Sequence, residues 1–167
     1  MKFKTRHFGE IEIAEEKLLT FPGGIIGFPN HKKFCLINRP ESNPYFWLQC
    51  VDQPEWAFVV LPMQVFKPDY QLELKDAEKT FLKLTPEDTA VVLAVVVVPS
   101  DPHQTTVNLL APIVINEREF LGAQVVNENG LYQTRHLLKD EIKPVAKEGD
   151  SHAGAHEKEK TVCHTRG

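Results

Sequence analysis

The chain is short of cysteine and long apolar runs, and it has no recognisable catalytic signature. Its three cysteines, Cys35, Cys50 and Cys163, show no CxxC spacing. An odd, scattered set argues against both a disulfide framework and a zinc site. Cys35 and Cys50 lie in apolar strand patterns and read as small buried thiols. Cys163 falls in a polar tail as an inert exposed thiol. The longest unbroken apolar run, 90–99, is about half of what a membrane-crossing helix needs. The opening Met1-Lys2-Phe3 enters strand-like sequence without a signal-peptide core, so the expected compartment is the cytoplasm, with no membrane partner.

Catalytic chemistry is equally sparse. There is no GxSxG, no HExxH and no phosphate-binding glycine loop. The glycines of FPGGIIGFP (21–29) do not form a GxGxxG fingerprint, since Pro29 follows and no crossover helix begins there. His7, His31, His103 and His136 have no cysteine or carboxylate at ligand spacing. His152 and His156 are four apart, but Gly149 and Gly154 disfavour the helix that would bring them together. The pairs Glu15-Glu16 and Glu87-Asp88 sit among charged neighbours in turns and read as solvated surface. The expectation is no enzyme, no cofactor, no metal and no small-molecule substrate.

Basic charge is also scarce. Residues 1–138 carry 13 Lys and Arg against 17 Asp and Glu, while 139–167 carry 6 of each. The imbalance of −4 therefore belongs wholly to the body, the wrong sign for neutralising phosphates. Aromatics gather at Tyr45, Phe46, Trp47, Trp56, Phe58, Phe66 and Tyr70, yet no Lys or Arg lies between Tyr45 and Trp56. A base-stacking face would interleave basic residues there. Core packing, and after it a partner groove, explains these rings better than direct nucleic-acid binding.

What the chain does have is strand sequence. Residues 3–8 and 10–13 alternate across Gly9, and 18–21 stop at Pro22-Gly23-Gly24. FPGGIIGFP reads as a turn carrying apolar residues, folded over a core or offered to a partner. Segments 34–37, 45–51 and 56–61 read as strands separated by proline-bearing turns. Residues 76–84 form the one clear helix, capped by Asp76, with Ala77, Phe81 and Leu84 on its apolar face. The β-branched run 89–98 reads as a central strand buried on both faces.

The most distinctive stretch is 105–116, TTVNLLAPIVIN. Pro112 cannot donate to a central ladder, so 107–110 and 113–116 form a strand or a bent pair around it. Asn108 and Asn116 place amides at its two ends. Asn129-Gly130, between Val125-Val126 and Leu131-Tyr132, signals a hairpin. About ten short strands and little helix predict a mainly β fold: one antiparallel β-barrel-like domain over 1–138 with one or two short helices. After Leu138 the charges alternate and aliphatic runs vanish. Residues 139–167 are expected to be a disordered tail, with one helical turn near 139–143.

The segments FGEIEI (8–13), LTFPGGIIGF (19–28), YFWLQCVD (45–52), AFVVLP (57–62), PDY (68–70), TVNLLAPIVIN (106–116) and TRHLL (134–138) together resemble the bacterial flagellar assembly factor FliW family. The resemblance runs in order over about 3–138, and the combination is far more specific than any one motif. Its one departure is trivial: the family run often begins with Ala where Thr105 or Thr106 stands. The tail is not covered. The resemblance implies a barrel-like, non-enzymatic partner switch. It would bind flagellin in the cytoplasm and, when flagellin is exported, capture CsrA, the dimeric RNA-binding repressor of flagellin translation. An acidic body docked beside an RNA-binding groove would repel incoming phosphates, an effect that raised salt should blunt. The readings left beside it are a flagellin chaperone without a translational role and a small-molecule-binding barrel.

Asn108, Pro68, Asp69, Tyr70 and Phe66 are the contact candidates, since the matched motifs include 68–70 and 108. Ile25 and Ile26 of the glycine-rich loop follow them. Asn108 and Tyr70 have an alternative reading as groups that only satisfy buried backbone or plug the barrel end.

Overall fold

The computed structural model describes residues 1–142. A hairpin of β1 (Lys2–Thr5) and β2 (Gly9–Glu12) precedes the sheet that forms the body. The sheet comprises β3 (Leu19–Thr20), β4 (Lys33–Asn38), β5 (Phe46–Cys50), β6 (Ala57–Pro62), β7 (Val91–Val97), β8 (Thr106–Asn116), β9 (Leu121–Gln124) and β10 (His136–Leu137). Neighbours from β3 through β8 pair antiparallel in chain order. β9 then joins β8 antiparallel and β3 parallel, closing seven strands into a barrel. Closure removes the exposed edges that would otherwise invite pairing with other chains.

Alternation along the strands sorts side chains into layers. Phe34 and Leu36, Phe46 and Leu48, Val60, Leu93, Ile113 and Ile115 fill the interior together with Phe21. Residues on the opposite face are covered from outside. The β1–β2 hairpin buries Cys35 and Ile37 beneath Ile11 and Ile13. The short helix α1 (Met63–Phe66) and Leu138 cover Ala94, Val96 and Val107. Leu72, Leu74 and Leu82 cover Val114 and Val125. Full burial of side chains of this size contributes about 1.5–3 kcal/mol each before entropy is counted.

β8 bends as Pro112 requires. Two steps on β7, Leu93 to Val95, face five on β8, Ile113 to Asn108. Asn108 Oδ1 accepts the N–H groups of Leu110 and Ala111, both at 3.0 Å, inside this bulge. The bend lets one strand serve two neighbours: Thr106 and Val107 pair with β10, while 113–116 pair with β9.

Four expectations need correction. The run 89–98 is not buried on both faces throughout: Val97 and Val98 are exposed at the strand exit, beyond the cluster that covers Ala94 and Val96. Asn129-Gly130 makes a turn but no hairpin. Its flanks bond elsewhere, Asn127 N–H to Leu110 O at 2.7 Å and Gln133 O from Leu109 N–H at 3.1 Å. Asp76 is not a cap; Glu78 accepts the Lys75 N–H at 2.8 Å and holds that end of α2 (Asp76–Phe81). The helix also ends three residues early. Lys83 adopts φ +55°, Leu84 N–H bonds Lys79 O and Lys83 N–H bonds Thr80 O, a Schellman turn with lysine where glycine is usual.

A helical turn, α3 (Leu138–Glu141), continues from β10 with Leu138 buried. Of the tail expected over 139–167, residues 139–141 belong to this helical turn, and 143–167 lie outside the described residues. Among the described residues no helix is long and apolar enough to cross a membrane.

Candidate functional site

The candidates 66–70 and 108 converge on one side of the barrel, where nearly every polar group is already bonded. The Tyr70 hydroxyl donates to Leu109 O at 2.6 Å and accepts from Asn127 Nδ2 at 3.1 Å. Burial pushes the Tyr70 phenol above its ordinary pKa, against the bond from Asn127. Asn127, fully buried, also donates to Gln71 O at 2.7 Å and accepts the Glu73 N–H at 3.4 Å. Tyr132 stacks on Tyr70 with centroids 4.5 Å apart, and its hydroxyl accepts the Gln71 N–H.

Asn108 spends its carbonyl on the β8 bulge. Phe66 is buried in the outer cluster, whereas Pro68 and Asp69 are exposed. Lys67 reaches Glu141 at 2.9 Å and Asp69 at 3.8 Å. The bond that Lys67 donates to Glu141 raises its ammonium above the ordinary pKa. Glu141 also faces His136 Nδ1 at 3.4 Å, so α3 is pinned to the barrel.

A different surface opens around the glycine-rich loop. At Gly24 φ is +68°, and an added Cβ would lie 2.5 Å from Phe28 O, so glycine is required for the chain to fold back there. The fold-back pairs Ile25 with Phe28 and separates the two isoleucines. Ile25 turns into the barrel core, while Ile26 stands 59% exposed. Ile26 N–H donates to Gln124 Oε1 at 3.0 Å, and Gln124 Nε2 donates to Ala111 O at 2.9 Å. One glutamine thus anchors the loop tip to β8.

Between this loop, α2 and the end of β9 lies a groove of about 440 Å³. Ile26 forms one wall, Ala77 and Phe81 of α2 another, with Ala123 and Val125 also lining it. Phe81 is 47% exposed. The spacing of Ala77, Phe81 and Leu84 predicts one shared apolar face. The early Schellman turn rotates that face: Leu82 and Leu84 go to the barrel, leaving Ala77 and Phe81 in the groove. Asn116 Nδ2 holds the turn through Leu82 O at 2.8 Å and Lys83 O at 3.2 Å. Arg118 adds a bond to Lys83 O at 2.9 Å.

The sequence candidates therefore divide. Ile26 lies in the groove, Ile25 beneath it and the other five around Tyr70. Phe81 and Gln124 were missed, since a periodic phenylalanine and a strand-end glutamine look like ordinary structure. The seven clustered aromatics are all buried or half-buried. Trp56 and Phe58 close around Phe28 with centroids 4.5 and 5.6 Å away, and Trp47 lies against Phe8. They form packing clusters, not a stacking platform.

Comparison with known proteins is consistent along the whole described body. The family model described as FliW protein matches residues 2–138. The flagellar assembly factor FliW of Natranaerobius thermophilus is 39% identical over 139 residues, 83% of this chain and 92% of the relative. That of Geobacter sulfurreducens is 40% identical over 141 residues, 84% and 88% of the two chains. A crystal structure of the flagellar assembly factor FliW superposes with a TM-score of 0.77 at 36% identity, covering 83% of this chain and 96% of the other. This chain belongs to the FliW family of flagellar assembly factors.

Proposed function

We propose that the protein is a non-catalytic partner switch in the cytoplasm. It binds flagellin and, when free of flagellin, binds CsrA and antagonises repression of flagellin translation. The observation that carries a binding role is the groove, where Ile26 and Phe81 expose apolar surface on elements fixed by the barrel, Gln124 and Asn116. Exposed apolar side chains gathered in a concavity mark contact sites for other polypeptides more often than ordinary surface. The excess of acidic over basic residues in 1–138, 17 against 13, supports a second element. A negative body held beside an RNA-binding protein repels phosphate and weakens RNA association without covering the RNA site.

Titration with purified flagellin and CsrA, separately and then in competition, tests the reading. Micromolar or tighter binding of both is expected, with flagellin displacing CsrA. Binding of flagellin alone would leave a chaperone without a translational role, and binding of neither would overturn the proposal. Raising salt should restore RNA binding by CsrA faster than it releases the protein–protein contact.

The groove volume of about 440 Å³ also falls within the range of small-molecule sites, about 300–1,000 Å³. A thermal-shift screen with metabolites separates that reading, since a ligand selective for the native state must raise the melting temperature.

A further inference from the structure

His31, Cys50 and Asp52 meet at one mouth of the barrel, although 18 residues separate the first two in sequence. An imidazole nitrogen, Cys50 Sγ and an Asp52 carboxylate oxygen lie within 4.8 Å of one another. Among the described residues this is the one group of three potential metal-binding side chains that approach so closely.

Each member is placed by different structure. Cys50 ends β5, and its N–H bonds Trp56 O at 2.9 Å, so the 51–55 turn wraps back over the thiol. Burial pushes the fully buried Cys50 thiol above its ordinary pKa, against the backbone N–H groups of Gln53 and Asp52 beside the sulfur. Cysteine binds metal as the thiolate, so an arriving ion has to displace the thiol proton. His31 leaves the glycine-rich loop half-buried and packs edge-on against Trp56, ring centroids 4.4 Å apart at 86°. Asp52 stands exposed at the rim. Val51 N–H bonds Lys33 O at 3.0 Å, tying the turn to the strand that follows His31.

We propose that His31, Cys50 and Asp52 form a binding site for a borderline-soft divalent cation, with zinc the best fit. A thiolate, an imidazole and a carboxylate together select against magnesium and calcium, which prefer all-oxygen shells. Zinc bonds of about 2.0–2.3 Å set tetrahedral donors about 3.3–3.8 Å apart. Closing from 4.8 Å takes about 1 Å of side-chain movement. Asp52, exposed at the rim, and half-buried His31 can supply it, while Cys50 stays fixed. Three protein ligands leave the fourth position to water. Occupancy cross-links the stem of the glycine-rich loop to the β5–β6 turn, so the ion stiffens the loop that also carries Ile26.

Cobalt(II) titration of the chelator-treated full chain tests this, because a cobalt–thiolate bond gives a charge-transfer band in the near ultraviolet. The expected result is that band saturating at about one equivalent and bleached by added zinc, with His31→Gln and Asp52→Asn weakening cobalt affinity at least about tenfold. Cys50→Ala should abolish the band. Because that substitution falls in the core, the two rim variants carry the test if it fails to fold. A Cys163→Ser, His152→Ala, His156→Ala chain should keep the band, which separates this site from the tail. Absence of the band in the unaltered protein overturns the assignment. So does an undiminished band in both rim variants, or loss of the band with the tail residues.

Discussion

Two surfaces of the same barrel use opposite chemistry. Around Tyr70, polar side chains are bonded to one another and to backbone: Tyr70 to Leu109 and Asn127, Asn127 to Gln71 and Glu73, Asn108 to its own bulge. Around Ile26 and Phe81, apolar side chains face outward from a framework held by glutamine and asparagine. The first arrangement has little left to offer a partner except Pro68 and Asp69. The second has little internal reason to expose what it does. Distinctive polar residues in a motif can therefore mark structural bonding, while the surface available for recognition is written in residues that look like core.

The sharpest way to break this contrast is Asn127→Ala. It removes three bonds at a fully buried site: the Glu73 N–H loses its acceptor, while the Gln71 carbonyl and the Tyr70 hydroxyl each lose one of two partners. Loss of about 2–4 kcal/mol of folding stability is expected in urea unfolding. A loss below about 0.5 kcal/mol would mean that the web is dispensable and that its polar groups are available for other partners.

Phe81→Ser approaches the contrast from the groove. The side chain is half exposed, so stability should move by no more than about 0.5 kcal/mol. Affinity for the partner that occupies the groove should fall by about 2 kcal/mol, roughly thirtyfold, in calorimetric titration. Ile26→Ser should act in the same direction. If both variants bind flagellin and CsrA as tightly as the unaltered protein, the groove is not the contact.

Tyr70→Phe is milder, because it keeps the stacked ring over Tyr132 and deletes only the hydroxyl. About 1 kcal/mol of stability should be lost, with partner affinities unchanged. Lost affinity at unchanged stability would instead return Tyr70 to the contact surface. Combining Tyr70→Phe with Asp69→Ala extends the test to the exposed half of that motif.

Much of the barrel was legible because strand alternation is a local signal. The expected strands 34–37, 45–51 and 56–61 differ from β4, β5 and β6 by one residue or fewer at each end. The bend in β8 followed from proline's missing N–H. The Asn-Gly hairpin failed because its flanks found long-range partners in β8, which no turn dipeptide encodes. Phe81 was misread because helical spacing shows which residues share a face without showing where the helix stops. Lys83 at positive φ decides that, and it is held by Asn116 and Arg118, more than thirty residues on. The meeting of His31 with Cys50 was hidden for the same reason: barrel closure creates neighbours that spacing cannot.

The Arg118 clamp offers the smallest test. Asp88 takes both prongs of the guanidinium, Nε at 3.1 Å and a terminal nitrogen at 3.0 Å, and also accepts the Thr85 N–H at 2.8 Å. Arg118, with Thr85 helping, holds the Asp88 carboxyl well below its ordinary value of 3.8. A depressed folded-state pKa means stabilisation that is complete above the unfolded value and is lost as pH falls through the folded one. Asp88→Asn should therefore lower stability slightly at neutral pH, with the gap to the unaltered protein narrowing below about pH 4. Because Arg118 also bonds Lys83 O, the same variant should loosen the turn that aims Phe81 into the groove. Stability curves that run parallel from neutral to strongly acidic pH would show that the pair does not support this turn, leaving Asn116 alone to set the groove wall.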